Sequence, residues 1–112
     1  MALSSRNRLV ARNGIKEIFK KGKTLNSEFF RIKYFFDGTD SKRFGISAAS
    51  KVFKKAVERN LVRRRLSEII RKNLSRINPG LKAMIMVKKN VLTEKSLKIE
   101  KDLLEELAKT AK

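Results

Sequence analysis

The sequence predicts an α+β fold, a small two-layer sandwich whose elements run α-β-β-α-β-α. Three observations carry that expectation. Stretches 28–36 and 43–49 alternate apolar and polar residues with a period of two, as half-buried strands do. Stretches 53–75 and 93–108 repeat apolar residues at the helical period of 3.6. The chain has 112 residues and is 41% hydrophobic, which suits one compact domain, 1–112, and leaves little room for a second.

The elements follow in order. Residues 1 to about 11 read as a basic arm, with Arg6 and Arg8 around Asn7 and no sustained apolar period. Asn13 is placed to cap a first helix on which Ile15, Ile18 and Phe19 form one stripe; Lys20 and Lys21 suit its C-terminal dipole, and Gly22 ends it. A further short strand fits near 23–26. Along 28–36, Phe30, Ile32, Tyr34 and Phe36 point one way while Arg31 and Lys33 point the other. Asp37-Gly38-Thr39-Asp40-Ser41 has turn chemistry, and Phe44, Ile46 and Ala48 share one face of the strand that returns, so 28–49 reads as a β-hairpin.

A long helix is expected over about 53–75, with Ala56, Val62, Leu66, Ile69, Ile70, Leu74 and Ile77 on one arc, stopped by Asn78-Pro79-Gly80. Residues 81–87 are short and apolar enough for a buried strand. Thr93 then opens a last helix with Leu97, Leu103, Leu104, Leu107 and Ala108 along one side. Residues 43–87 thus form a β-α-β crossover.

Charge sets the class of partner. Lys and Arg number 29 against 11 Asp and Glu, a net charge of +18. Such an excess suits a polyanion, because each cation placed at a phosphate releases condensed counterions. Nucleic acid is the first candidate and an anionic membrane surface the second. No apolar run approaches the roughly 20 residues that span a bilayer, and residues 1–9 lack a secretory pattern, so a cytoplasmic location is expected.

Catalysis by the chain itself is not expected. His and Cys are both absent, which removes thiolate and imidazole nucleophiles, the ordinary proton shuttle and zinc ligation. The carboxylates that remain, Asp37 and Asp40 in a turn, Glu58 and Glu68 beside arginines, and Glu100, Asp102, Glu105 and Glu106 near the C-terminus, have no metal-binding or acid/base spacing and read as solvated charges or local ion pairs.

On the long helix, a step of about 100° per residue gathers Arg59, Asn60, Arg63, Arg64 and Arg71 into one sector beside the apolar arc. Guanidinium forks match phosphate oxygens and stack on bases, and Asn60 both donates and accepts. A solubilising face would interleave both signs, whereas only Glu58 and Glu68 oppose the bases between Lys51 and Lys72. This points to RNA contact. Phe19 has two readings, a platform for base stacking or core packing beside Ile15 and Ile18.

Arg43-Phe44-Gly45-Ile46-Ser47, then Lys51, Ala56 and Glu58-Arg59-Asn60-Leu61-Val62-Arg63-Arg64 with Glu68, resemble the signature of the bacterial ribonuclease P protein subunit. Arg6-Asn7-Arg8-Leu9 resembles the family's basic start, and Phe19 before Lys20, Lys21 and Gly22 resembles its first helix and turn. Ser67, Ser50 and Ala48 depart from the pattern, and these departures displace part of the expected contact surface toward Arg65 or Arg71.

The resemblance implies a noncatalytic subunit of a ribonucleoprotein endonuclease whose RNA, with its bound Mg²⁺, removes the 5′ leader of precursor tRNA. Lys51, Arg59, Asn60, Arg63 and Arg64 would face the catalytic RNA; Ile15, Phe19, Arg31 and Lys33 would line a cleft for the leader. It also implies a left-handed crossover, against the general preference. No metal site on the chain and no obligatory protein partner is evident from the sequence. The rival readings are a ribosomal or other structural RNA-binding protein and a protein-only Mg²⁺ nuclease built on scattered carboxylates.

Overall fold

The computed structural model describes Asn7, residues 15–89 and residues 91–110, with the backbone alone for residues 15–17. The expected basic arm, Asn7 apart, lies outside the described residues, as do Asn13 and the side chain of Ile15. The elements are α1 (Ile15–Lys21), β1 (Lys23–Asn26), β2 (Phe30–Phe36), β3 (Arg43–Ser47), α2 (Ala56–Lys72), β4 (Leu81–Val87) and α3 (Ser96–Ala108). The short strand expected near 23–26 is β1, and the α+β class holds.

Alternation on β2 sets the two faces of the sheet. Phe30, Ile32 and Tyr34 are buried while Arg31 is exposed and Lys33 half-buried. The sheet order is β1-β2-β4-β3. β2 pairs antiparallel with both β1 and β4, whereas β3 runs parallel to β4. The hairpin expected between 28–36 and 43–49 therefore does not form, because β4 lies between its two arms. The reason is burial: Leu81, Lys82, Ala83, Ile85 and Val87 are all buried, and so apolar a strand takes the inner position with a partner on each side, leaving five-residue β3 at the edge.

The turn chemistry at 37–41 serves a different connection. Lys82, 1% exposed, reaches from β4 into that loop, its Nζ 3.0 Å from the Asp37 carboxylate and donating to the Ser41 carbonyl at 2.8 Å. Gly80, with φ +86°, admits the close pass of this loop, for a Cβ there would meet the Thr39 carbonyl oxygen at 2.6 Å. The β1–β2 turn is braced from below: Ser27 Oγ accepts from the Phe30 amide at 3.1 Å and donates to Asp102 of α3 at 2.8 Å.

The core lies between one face of the sheet and the pair α2 and α3. Phe30, Ile32, Tyr34, Phe44, Ala83 and Ile85 meet Val62, Leu66 and Ile70 of α2 and Ile99, Leu103 and Leu107 of α3. The i, i+4, i+8 spacing on α2 is the helical stripe that the sequence displays. The helix is shorter at both ends than expected. Phe53, 1% exposed, sits before it in a turn held by Ala49, whose carbonyl accepts from the amides of Val52 and Phe53 at 3.1 and 2.9 Å. Ala56 is exposed, and Leu74–Arg76 tighten into a 3-10 turn.

Helix α3 buries Leu103 and Leu107 as expected, but its face is turned toward Ile99 and Glu106 and away from Leu97 and Ala108. Ile99, Leu103, Glu106 and Leu107 are the buried residues, while Leu97 is 80% exposed and Ala108 is exposed. Leu97 stands two residues, about 200°, from Ile99 and so points away from the sheet.

Helix α1 crosses the other side of the sheet. It touches β2 and β4, its Ile18 is fully buried yet separate from the main core, and Lys33, on the outer face of β2, lies above its Phe19. α1 therefore forms one wall of a groove whose floor is the outer sheet face.

Candidate nucleic-acid interface

Two surfaces gather the sequence-predicted residues. The first is the edge of α2. Asn60, Arg63 and Arg64 are exposed, and Arg63 Nη2 donates to Asn60 Oδ1 at 2.5 Å, which holds one guanidinium along the helix and leaves its other donors facing out. Arg64 is exposed and, among the described residues, makes no ion pair. Lys51 is exposed in the turn that leads into the helix.

Arg59 differs from its neighbours. It is half-buried, and its Nη1 donates to the carbonyls of Phe53 at 2.7 Å and Lys54 at 3.3 Å. No side chain caps the first turn of α2, and Arg59 instead ties that turn to the loop from β3. Its guanidinium holds residues 53–54 and the helix edge in one frame while keeping donors to spare. The expected sector is thus assembled, with one of its arginines also engaged in the scaffold.

The two residues considered as substitutes for the missing arginine at Ser67 part company. Arg71 shares the sector of Arg64 but is paired with Glu68, three residues earlier. The hydrogen bond from Arg71 holds the Glu68 carboxyl down to about 2. Arg65 turns to the opposite edge and, with Lys72, Glu94 and Glu100, rims a cleft of about 260 Å³ between α2 and α3 floored by Leu66, Ile69, Val91 and Ile99. Its surroundings mix both signs, unlike the edge formed by Asn60, Arg63 and Arg64.

The second surface is the groove between α1 and the sheet. Strand register carries the rows across it: Asn26, Arg31, Met86 and Ser47 stand side by side, as do Thr24, Lys33, Met84 and Gly45. Phe19 is 53% exposed, with Lys33 Nζ 5.2 Å from its ring centroid. Core packing falls to Ile18, one position away, so the stacking reading of Phe19 keeps its geometry and the core reading does not. A ring flanked by a cation, beside polar and thioether side chains, suits an unstacked base on an extended backbone.

Sequence reasoning missed the groups that hold these surfaces. Lys82 reads as one more cation in a strand, yet it is buried and clamps the 37–41 loop. Lys42 donates to the Leu74 carbonyl and so joins the start of β3 to the end of α2; Asn7 Nδ2 in turn donates to the Lys42 carbonyl at 2.7 Å. A polar residue in a β4 otherwise so apolar was the one available signal, for a lysine there needs internal acceptors.

Comparison with known proteins gives one answer. The sequence pattern of the family described as Ribonuclease P matches residues 3–111. The chain is 34% identical over 93 residues to the ribonuclease P protein component of Thermotoga maritima, covering 83% of this chain and 79% of that protein. It is 35% identical over 86 residues to the corresponding protein of a Pseudanabaena strain, covering 76% and 74%. The solved structure of the Thermotoga maritima RNase P protein superposes with a TM-score of 0.86 at 31% identity, covering 96% of this chain and 100% of that one.

Proposed function

Because this chain belongs to the ribonuclease P protein family, we propose that it is the protein subunit of that tRNA-processing ribonucleoprotein, binding the RNA subunit through α2 and the 5′ leader of precursor tRNA through the groove beside α1. The observation that carries the reading is the edge of α2, where Asn60, Arg63 and Arg64 stand exposed around the first turns of a helix anchored to the sheet. Lys51 and Arg59 extend this edge, and it takes phosphates of folded RNA without needing an order-disorder transition. Phe19, Arg31 and Lys33, with Ile15 on the same helix, take a single strand by backbone charge and stacking.

In this reading the chain binds and positions while the RNA cuts. Mg²⁺ belongs with the RNA; among the described residues no group of three or more Asp or Glu side chains is gathered to hold an ion. The site of action is the cytoplasm, and among the described residues no helix is long and apolar enough to cross a membrane. No obligatory protein partner enters the reaction.

The test is reconstitution with the candidate RNA subunit and a precursor tRNA at low Mg²⁺. The protein is expected to raise the rate of 5′ cleavage. Substituting Arg63 and Arg64 together with Ala should weaken binding to the RNA subunit and lower its salt slope by about one unit for each phosphate left without its cation. Phe19→Ala should instead weaken precursor tRNA relative to mature tRNA. A protein that leaves cleavage unchanged while binding ribosomal RNA tightly would be a structural RNA-binding protein, and the proposal would fail.

A further inference from the structure

The outer face of β4 carries a chemistry that the binding of phosphates does not use. The chain has three methionines, one tyrosine and neither cysteine nor tryptophan. Two of the methionines, Met84 and Met86, lie two residues apart on β4, and alternation turns both away from the core while Ala83, Ile85 and Val87 face it. Both are half-buried, whereas Tyr34 is only 5% exposed and packs into the core. Among the described residues, the readily oxidised side chains open to solvent are therefore gathered on the floor of the groove beside α1.

Their cross-strand neighbours on β2 are cations. Met86 pairs with Arg31 and Met84 with Lys33, so the Cβ of each methionine stands about 5 Å from that of a basic residue. On the other flank, Gly45 of β3 has no side chain to cover Met84, and Ser47, beside Met86, is small and exposed. A small oxidant can reach both sulfurs from solvent.

Taking the groove as the leader site proposed above, we infer that Met84 and Met86 are an oxidation site, where a hydroperoxide converts the thioethers to sulfoxides and loosens the single strand. A sulfur lone pair attacks one peroxide oxygen, and the S–O bond forms as the O–O bond breaks. The proton on the transferred oxygen passes to the departing one; sulfur loses two electrons, and the peroxide is reduced to water or an alcohol. The product is polar where the thioether was apolar and pliable, so a base loses the surface against which it lay. The sulfoxide oxygen is also an acceptor beside Arg31 or Lys33, and it competes with phosphate for their donors. Helix α2 contains no methionine, so its cationic edge is untouched by the same reaction.

The experiment treats the whole folded protein with hydrogen peroxide, locates added oxygen by peptide mass spectrometry, and measures binding of precursor tRNA, mature tRNA and the RNA subunit before and after. Met84 and Met86 should each gain an oxygen with circular dichroism unchanged. The preference for precursor over mature tRNA should fall by about three- to tenfold while affinity for the RNA subunit holds. Methionine sulfoxide reductases specific for each epimer, supplied with dithiothreitol, should restore the preference. A double variant, Met84→Leu with Met86→Leu, nearly conserves volume and should lose nothing on treatment, whatever preference it starts from. Sulfurs that stay unoxidised in the folded protein, a preference that survives oxidation at both, a loss that follows unfolding, or an equal loss in the double variant would each overturn the inference. Untreated protein with no preference for precursor tRNA would instead remove the leader site itself, and the inference would fall with it.

Discussion

Arg59 and Arg63 occupy one sector of α2 but do different work, and substitution should separate them. Arg59 gives Nη1 to two loop carbonyls, so Arg59→Ala leaves those acceptors short and should cost about 1–3 kcal/mol in urea unfolding. Arg63→Ala and Arg64→Ala, at exposed positions, should stay within about 0.5 kcal/mol. Equal stability for all three would remove the scaffold role of Arg59. Helical spacing made the sector legible from sequence, but it could not tell which guanidinium turns back to a carbonyl. The same limit holds for Arg71, whose pairing with Glu68 is a choice among neighbours on a crowded face. Freeing it by Glu68→Gln should raise the salt slope of RNA binding by about one. Acid supplies a parallel test. Glu68 sits at about 2 against its usual 4.5, chiefly through the Arg71 hydrogen bond, and a carboxylate with a depressed folded value stabilises above its unfolded pKa and loses that contribution as pH falls through the folded one. Asp37 behaves alike: burial raises it, but hydrogen bonds from Thr39 and Lys82 outweigh burial and leave it below 3.8. Stability should therefore be insensitive to these two groups above about pH 5 and fall from about pH 4.5 toward 2, which carboxyl chemical shifts followed by NMR will resolve; Glu68 or Asp37 titrating at its usual value would refute the pairing.

Among the elements, the join between α1 and β2 bears most on the groove. Gly22 closes α1, its amide donating to the Ile18 carbonyl at 2.8 Å, and a Cβ there would come 2.3 Å from that same oxygen and 3.1 Å from the Tyr34 carbonyl. Both obstacles are backbone, so Gly22→Ala should push α1 off the sheet, cost about 1–3 kcal/mol, and weaken single-strand binding more than binding to the RNA subunit. A variant with normal stability and normal binding would show that α1 is not held by this contact. The existence of α1, β2 and α2 was legible because each keeps a period of 3.6 or 2, and that of β4 because 81–87 is a short, nearly continuous apolar run. Pairing was not, since alternation tells which residues face the core and is silent on which strand lies alongside. The 37–41 stretch has every mark of a hairpin turn, and only the burial of β4 on both flanks decides that it spans a gap instead. α3 misled for a related reason: with leucines at 97, 103, 104 and 107, the helix offers two overlapping stripes, and Ile99, which selects the buried one, lay outside the stripe that the leucines suggested.

At the scale of the whole molecule the same charges act with opposite sign on folding and on binding. The described ion pairs, Glu68 with Arg71, Asp37 with Lys82, Glu28 with Lys89, Glu94 with Lys98 and Glu106 with Lys109, engage five of the cations, and of these only Lys82 is buried. Most of the described basic side chains therefore face solvent and one another, and their mutual repulsion is relieved when the chain expands. Salt shortens the range of that repulsion from about 10 Å at 0.1 M to about 3 Å at 1 M. The melting temperature of the free protein should accordingly rise with NaCl, by roughly 4–8 °C for each ~1 kcal/mol of repulsion removed, while affinity for RNA falls over the same range as counterion release loses its advantage. Polyanion should do what salt does and more, for a short RNA placed against α2 replaces like charges with opposite ones and is bound more tightly by the folded form, which holds those cations on one edge. Calorimetry across a NaCl series, with and without a short RNA, checks both signs at once. A melting temperature that falls with salt would mean that the arginines and lysines are held in internal pairs after all, and the outward cationic edge on which RNA recognition depends would not exist.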